Sequence, residues 1–209
     1  MNQRFEDTGF RFDDFKDLIL VQCPTCSGKA AVHHGKRLSC TGCGFNKEGN
    51  GAWCLNSENV EPPKIWYGAF RCREKSERTR CTRCGGDIAL ANKTLRAGIG
   101  RSDLMDGTCA ACGHIDQYNI TWRPYLQPGE ARDPYFGASL LLQMPVKGGI
   151  AYAFNIAQAE LYLAYFSATL RERGAPLGTQ TMFTAMPGWM KAAKNRSALA
   201  GAYTKLCDQ

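Results

Sequence analysis

Apolar positions recur along this chain in two ways. Through the first two thirds they form short alternating runs with the period of a strand: Leu18-Ile19-Leu20-Val21, Ala30-Ala31-Val32, Asp87-Ile88-Ala89-Leu90-Ala91, and residues 115–122, where Ile120 and Trp122 are set against Tyr118. Residues 64–75 predict a further strand in which rings and cations interleave. From Gly137 the pattern changes. Residues 137–144 and 150–154 predict two strands joined across Pro145-Val146-Lys147-Gly148-Gly149. Asn155 then caps a helix, with Gln158 three residues on completing a capping box. Ala159, Leu163, Phe166 and Leu170 share one face of that helix, and Gly174 with Pro176 closes it. A second helical stretch surrounds Trp189 and Met190. A third starts at Ser197 behind the cap Asn195, with Leu199, Tyr203 and Leu206 on one face.

The strands of the first part are punctuated by four Cys-x-x-Cys knuckles: Cys23/Cys26, Cys40/Cys43, Cys81/Cys84 and Cys109/Cys112. Such a loop sets two sulfurs on one side of a tight turn, at two corners of a tetrahedron, so a second loop completes a shell around a soft divalent ion. Each knuckle is followed by small residues: Ser27-Gly28, Gly44, Gly85-Gly86 and Gly113. Sequential pairing, across residues 27–39 and 85–108, predicts two zinc ribbons and two Zn2+ ions. A redox dithiol, a disulfide scaffold, an iron centre and a cross-braced pairing are the alternatives. Cys54, Cys72 and Cys207 have no neighbour at ligand spacing and read as packed thiols. His33 and His34 fall at the tip of the first hairpin, and His114 stands where it could donate a hydrogen bond to a thiolate.

The expected organisation is an aromatic and acidic arm over 1–17 and a first ribbon over 18–45. A linker over 46–63, a basic aromatic strand with the second ribbon over 64–126, and a hairpin plus helices over 127–209 complete it. The fold class is small α+β. The arm carries Phe5, Phe10, Phe12 and Phe15, rings that dock on a partner or on the chain's own ribbons, or else belong to a loose terminus. Eleven cysteines, a charged beginning and no apolar run of membrane-spanning length predict a cytoplasmic protein.

The formal net charge of +7 permits a polyanionic partner without requiring one. Its distribution is more informative. Residues 64–83 hold seven cations against Glu74 and Glu77, whereas residues 1–20 are net acidic. Trp66, Tyr67 and Phe70 are placed to stack on unpaired bases, and Lys64, Arg71, Arg73, Lys75, Arg78 and Arg80 to neutralise phosphates; the competing assignment is a small aromatic core under solvated charges. Lys191, Lys194 and Arg196 form a second basic group near a helix boundary, suited to phosphate or to a partner's carboxylates.

Asp133-Pro134-Tyr135-Phe136-Gly137, the strand around Leu140-Leu141-Leu142-Gln143, Ala151-Tyr152-Ala153-Phe154-Asn155 and the run Pro187 to Arg196, together with the knuckles, resemble a family of bacterial TFIIB-type zinc-ribbon proteins. The resemblance implies ribbons and helices in one chain and carries no activity with it. The sequence shows no nucleophile with its base, no paired carboxylates and no phosphate-binding glycine loop, and all-cysteine sites leave no position for an activated water. The expectation is a non-catalytic protein that binds DNA or RNA, or alternatively an adaptor in a larger protein complex, with no membrane role.

Overall fold

A computed structural model describes residues 4–49, 65–74, 80–89, 94–95, 102–172 and 180–209, with backbone alone at 73, 74, 89 and 95. The architecture is small mixed α+β. Strand β1 (Arg4–Glu6) and a 3-10 turn at Phe12–Phe15 precede a four-stranded antiparallel sheet of β2 (Leu18–Gln22), β3 (Lys29–His33), β4 (Arg37–Ser39) and β5 (Asn46–Glu48), ordered as in the sequence. The expected linker therefore starts later than predicted: Asn46–Glu48 pairs with β4, and residues 50–63 lie outside the described part. A second sheet contains β6 (Ala69–Glu74), β7 (Ile88–Ala89), β8 (Thr94–Leu95), β9 (Leu104–Cys109) and β10 (Ile115–Tyr125), in the order β7-β9-β10-β6-β8. The C-terminal part comprises a hairpin of β11 (Gln143–Val146) and β12 (Gly149–Tyr152), α1 (Ile156–Ser167), β13 (Leu170–Glu172), α2 (Gly188–Lys191) and α3 (Arg196–Cys207).

The first ribbon shares one core with the C-terminal helices. Ile19, Val21, Val32 and Leu38 pack with Leu140, Leu142, Tyr162, Phe166, Leu199, Tyr203 and Leu206. Backbone bonds run across the junction, from Leu20 N to Phe154 O, Gln22 N to Ser139 O and Leu141 N to Leu20 O. The predicted strand over 137–144 is thus only partly a strand. Ala138, Leu140 and Leu142 alternate into the core, but regular pairing begins at Gln143, because Leu140 is bridged to Val21 of the ribbon instead.

Asn155 caps α1 as expected, accepting from Gln158 N at 3.0 Å, while Gln158 Oε1 accepts from Phe154 N at 2.7 Å. The same Asn155 amide donates to Phe15 O and Leu18 O, so one side chain joins helix, arm and ribbon. The helix stops at Ser167, earlier than predicted, and Leu170 belongs to β13, which pairs in parallel with β1. This pairing holds the start of the N-terminal arm on the helical part, while its end meets the first ribbon, where Asp17 O accepts from His34 N at 2.8 Å. Phe5 meets Phe183 and Tyr165 edge-on at 5.0 and 5.4 Å, and the buried Asp7 accepts from Thr181 Oγ1 at 2.6 Å. Asn195 is buried and makes no side-chain cap for α3; its amide donates to Trp189 O.

Residues 133–137 form a junction. Asp133, fully buried, accepts from Tyr135 N, Phe136 N and Ala138 N at 2.9, 2.8 and 2.6 Å. Burial pushes its carboxyl up to about 6, and the three N–H donors limit the rise. The turn they fix places Tyr135 against Gly35 at the ribbon tip, Phe136 against Gly49, and Gly137 beneath the Trp66 indole. A Cβ on Gly137 would fall 2.6 Å from Trp66 and 2.9 Å from Gly68 N, and its φ of +67° already calls for glycine.

Candidate functional site

The eight knuckle sulfurs converge into two groups, Cys23, Cys26, Cys40 and Cys43, and Cys81, Cys84, Cys109 and Cys112, each with its sulfurs within 4.8 Å of one another. Pairing is sequential, not cross-braced. Sulfur separations of 3.6 and 3.7 Å in the first group and 3.6 Å in the second match the edge of about 3.8 Å of a tetrahedron with metal–sulfur bonds of about 2.3 Å. The set fits a closed, four-thiolate metal site.

Local backbone geometry explains why these sequences build such sites. In three knuckles the residue after the second cysteine folds back to the first, as in Ser27 N to Cys23 O, Gly85 N to Cys81 O and Gly113 N to Cys109 O. That fold demands a left-handed residue, supplied by Gly85 and Gly113 and by Ser27 at φ 59°, and Gly44 takes the same conformation after Cys43. Gly28 and Gly86 fit beside the sulfurs, where a Cβ would stand 3.3 Å from Cys26 Sγ, or from Cys84 and Cys109 Sγ. The first cysteine of each knuckle is buried and the second exposed.

The same geometry prepares the charge. Burial opposes ionisation of Cys23, but N–H groups of Cys26 and Thr25 outweigh it and hold the thiol at about 6. In the other centre the Cys112 and Ala111 N–H groups hold Cys109 at about 7. The Phe45 and His114 N–H groups act the same way on Cys43 and Cys112, yet neighbouring thiols, Cys26 and Cys84 foremost, push both up to about 12. Without a cation, then, each group resists full ionisation, and a divalent ion supplies what is missing. His114 serves the second centre through its carbonyl, which accepts from Cys109 N at 2.9 Å. His34 lies exposed at the hairpin tip beside Asp17, as expected, whereas His33 is half-buried at the end of β3 with Nε2 3.2 Å from Ser39 Oγ.

The second sheet carries the other candidate surface. Strand β6 pairs with β10 so that Arg71 stands directly opposite Arg123, and Arg73 opposite Thr121. Arg71 is exposed, and its guanidinium carbon lies 3.7 Å from the centroid of the Tyr125 ring. Neither Arg123 nor Tyr125 was singled out by sequence, since only the register reveals that they share a face with Arg71. The expected stacking rings are placed otherwise. Trp66 and Phe70 are buried, Trp66 Nε1 donates to Ala69 O, and half-buried Tyr67 packs against the main core. Of the two readings the sequence left open, bases or a small aromatic core, Trp66 and Phe70 follow the second, because the segment before β6 docks on Phe136 and Gly137. Arg80 donates to Gly85 O of its own knuckle, and Lys64, Lys75 and Arg78 lie outside the described residues. The alternation in β10 differs from the expected one: Tyr118, Ile120 and Trp122 lie on one face, Tyr118 against the Cys81 and Cys109 cluster and the others against Cys72 and Met105.

Lys191 and Lys194 do not share a continuous helix, because Ala192 is extended between them. Lys191 Nζ donates to Thr184 O at 2.6 Å; Lys194 is exposed and Arg196 half-buried. Nearby, a cavity of about 290 Å³ is lined by Phe12, Ile150, Tyr162, Met186, Trp189 and Tyr203, among others. Of the remaining thiols, Cys72 is buried and Cys207 half-buried, while Cys54 lies outside the described part. Among the described residues no helix is long and apolar enough to cross a membrane.

Fold and centres together define a mixed α+β protein with two ribbon-like tetracysteine metal sites. Comparison with protein-family models, curated proteins and solved structures finds no match to this chain.

Proposed function

We propose that this is a non-catalytic protein whose two centres hold zinc and whose five-stranded sheet binds nucleic acid. Four thiolates in a closed shell suit a structural zinc ion and leave no open position for substrate or water. The observation that carries the binding function is the Arg71–Arg123 cross-strand pair, with Arg71 laid on Tyr125. Arg123 is also engaged within the chain, so exposed Arg71 is the member of the pair offered to a phosphate. Guanidinium forks are suited to phosphate oxygens. Mobility-shift titration against mixed DNA and RNA tests this: binding weakens as salt rises, and Arg71→Glu weakens it further. No shift at low salt, or an unaltered one with Arg71→Glu, refutes it. Metal analysis of the purified protein should return two zinc ions per chain.

One observation favours a second function, that of adaptor. The apolar recess beside half-exposed Trp189 is of a size to receive one large side chain of a partner protein. Capture of one partner at high salt, lost with Trp189→Ala, distinguishes it from nucleic-acid binding.

A further inference from the structure

We infer that the nucleic acid is single-stranded and lies across the open face of the second sheet, an inference that rests on the nucleic-acid function proposed above.

The reason is the arrangement of groups on the face. Arg71 covers one side of the Tyr125 ring and is itself exposed, so its outer plane continues the stack and offers a platform to an unpaired base. Arg123, which is also engaged within the chain, lies directly opposite Arg71, in reach of the phosphate beside that base. Along the same face of β10, the exposed Asn119 supplies an amide for base edges, next to half-buried Thr121, which is engaged within the chain, and to Gln117, whose Nε2 donates to Asp106 Oδ1 at 3.3 Å; Thr94 borders Arg71 on the far side. A platform, a cation and an exposed amide on one surface recognise a splayed strand; paired bases, with both faces stacked, cannot use the platform.

The test uses the full-length, metal-loaded protein with labelled 12-nucleotide oligo(dT) and oligo(U), and a hairpin duplex of equal paired length, read by fluorescence anisotropy. At least one single strand should bind about tenfold or more tighter than the duplex. For three phosphate contacts at about 0.7 each, affinity falls about 20-fold from 50 to 200 mM salt. Removing the stack with Tyr125→Ala should cost about 5-fold or more. Arg71→Glu should cost about tenfold or more, and Thr94→Glu, which leaves the stack intact, should act in the same direction. Unchanged zinc content in each variant shows that the sheet still forms. Equal or tighter duplex binding that still depends on Arg71 overturns the single-strand inference and leaves the nucleic-acid function standing. Absence of all binding, or indifference to both Arg71→Glu and Thr94→Glu, overturns both.

Discussion

Removing the ion from the second centre should unfold the five-stranded sheet and leave the helices folded, whereas removing it from the first should loosen only the knuckles. The two centres rest on unequal reserves. Cys23 and Cys40 belong to the common core, and β2 is tied to the C-terminal part by three backbone hydrogen bonds. In the second sheet, the buried apolar side chains besides the ligands Cys81 and Cys109 are Cys72, Met105, Ile120, Ile88 and, on β6, Ala69 and Phe70 among the described residues. At about 1.5–3 kcal/mol for each of the five larger ones, these contribute about 7–15 kcal/mol. One structural zinc site contributes about 10–16 kcal/mol, an amount comparable to all of that burial. The comparison sets Cys81→Ser/Cys109→Ser against Cys23→Ser/Cys40→Ser, each followed by hydrogen exchange read peptide by peptide. In the first variant β9 and β10 should exchange freely while α1 and α3 keep their protection; in the second, β2 and β3 should stay protected. Persistent protection of β9 and β10 without the ion would refute the claim that metal holds this sheet.

Four further outcomes are expected. Asp133→Ala leaves two buried N–H groups, of Phe136 and Ala138, and the part-buried one of Tyr135 without an acceptor, and at about 1–3 kcal/mol for each buried group it should destabilise by at least about 2 kcal/mol in denaturant titration; a loss under about 1 kcal/mol speaks against the junction. Asn155→Ala removes a cap and two donor bonds to the arm and ribbon, so its cost should be about 2–4 kcal/mol, above the roughly 1 kcal/mol of an ordinary cap. Gly113→Ala meets no neighbouring atom and isolates the left-handed backbone, costing about 1–2 kcal/mol, while Ser27→Gly should stabilise slightly; opposite signs contradict the knuckle geometry. Cys43 and Cys112 keep their protons up to about 12 in the metal-free state, so binding near neutral pH displaces at least one proton at each centre, and zinc affinity measured against a competing chelator should rise about tenfold or more per pH unit from 6 to 8. A flat profile excludes that exchange.

The metal ligands were legible because a knuckle is local: two cysteines three residues apart, followed by a residue tolerant of the left-handed region, state most of their geometry within one turn. The helix start at Asn155 was legible for the same reason. What sequence missed is long-range. Whether Trp66 stacks on a base or on Gly137 depends on a contact between residues 71 positions apart, and strand periodicity is the same in both cases. The Arg71–Arg123 pair depends on register between strands separated by the whole second ribbon. The end of α1 was misjudged because Gly174 and Pro176 are obvious stop signals, whereas the actual stop at Ala168 follows from β13 pairing with β1, a strand at the other end of the chain.

This division bears on how the proposed binding face is held. The basic strand β6 follows directly from the Ile65 to Ala69 segment, whose Tyr67 N donates to Phe136 O and whose Trp66 ring rests on Gly137. Phe136 and Tyr135 in turn pack on Gly49 and Gly35 of the first ribbon. One five-residue loop, shaped by a single buried carboxylate, therefore fixes where the first ribbon ends and where the basic strand begins. The second sheet has little interior of its own, so its orientation relative to the rest of the molecule depends on its ion and on this attachment together. The aromatic residues next to the cations are explained by the same arrangement: Trp66 and Phe70 anchor the strand from the buried side, which leaves Arg71 and Tyr125 on the other, where the proposed contact surface lies.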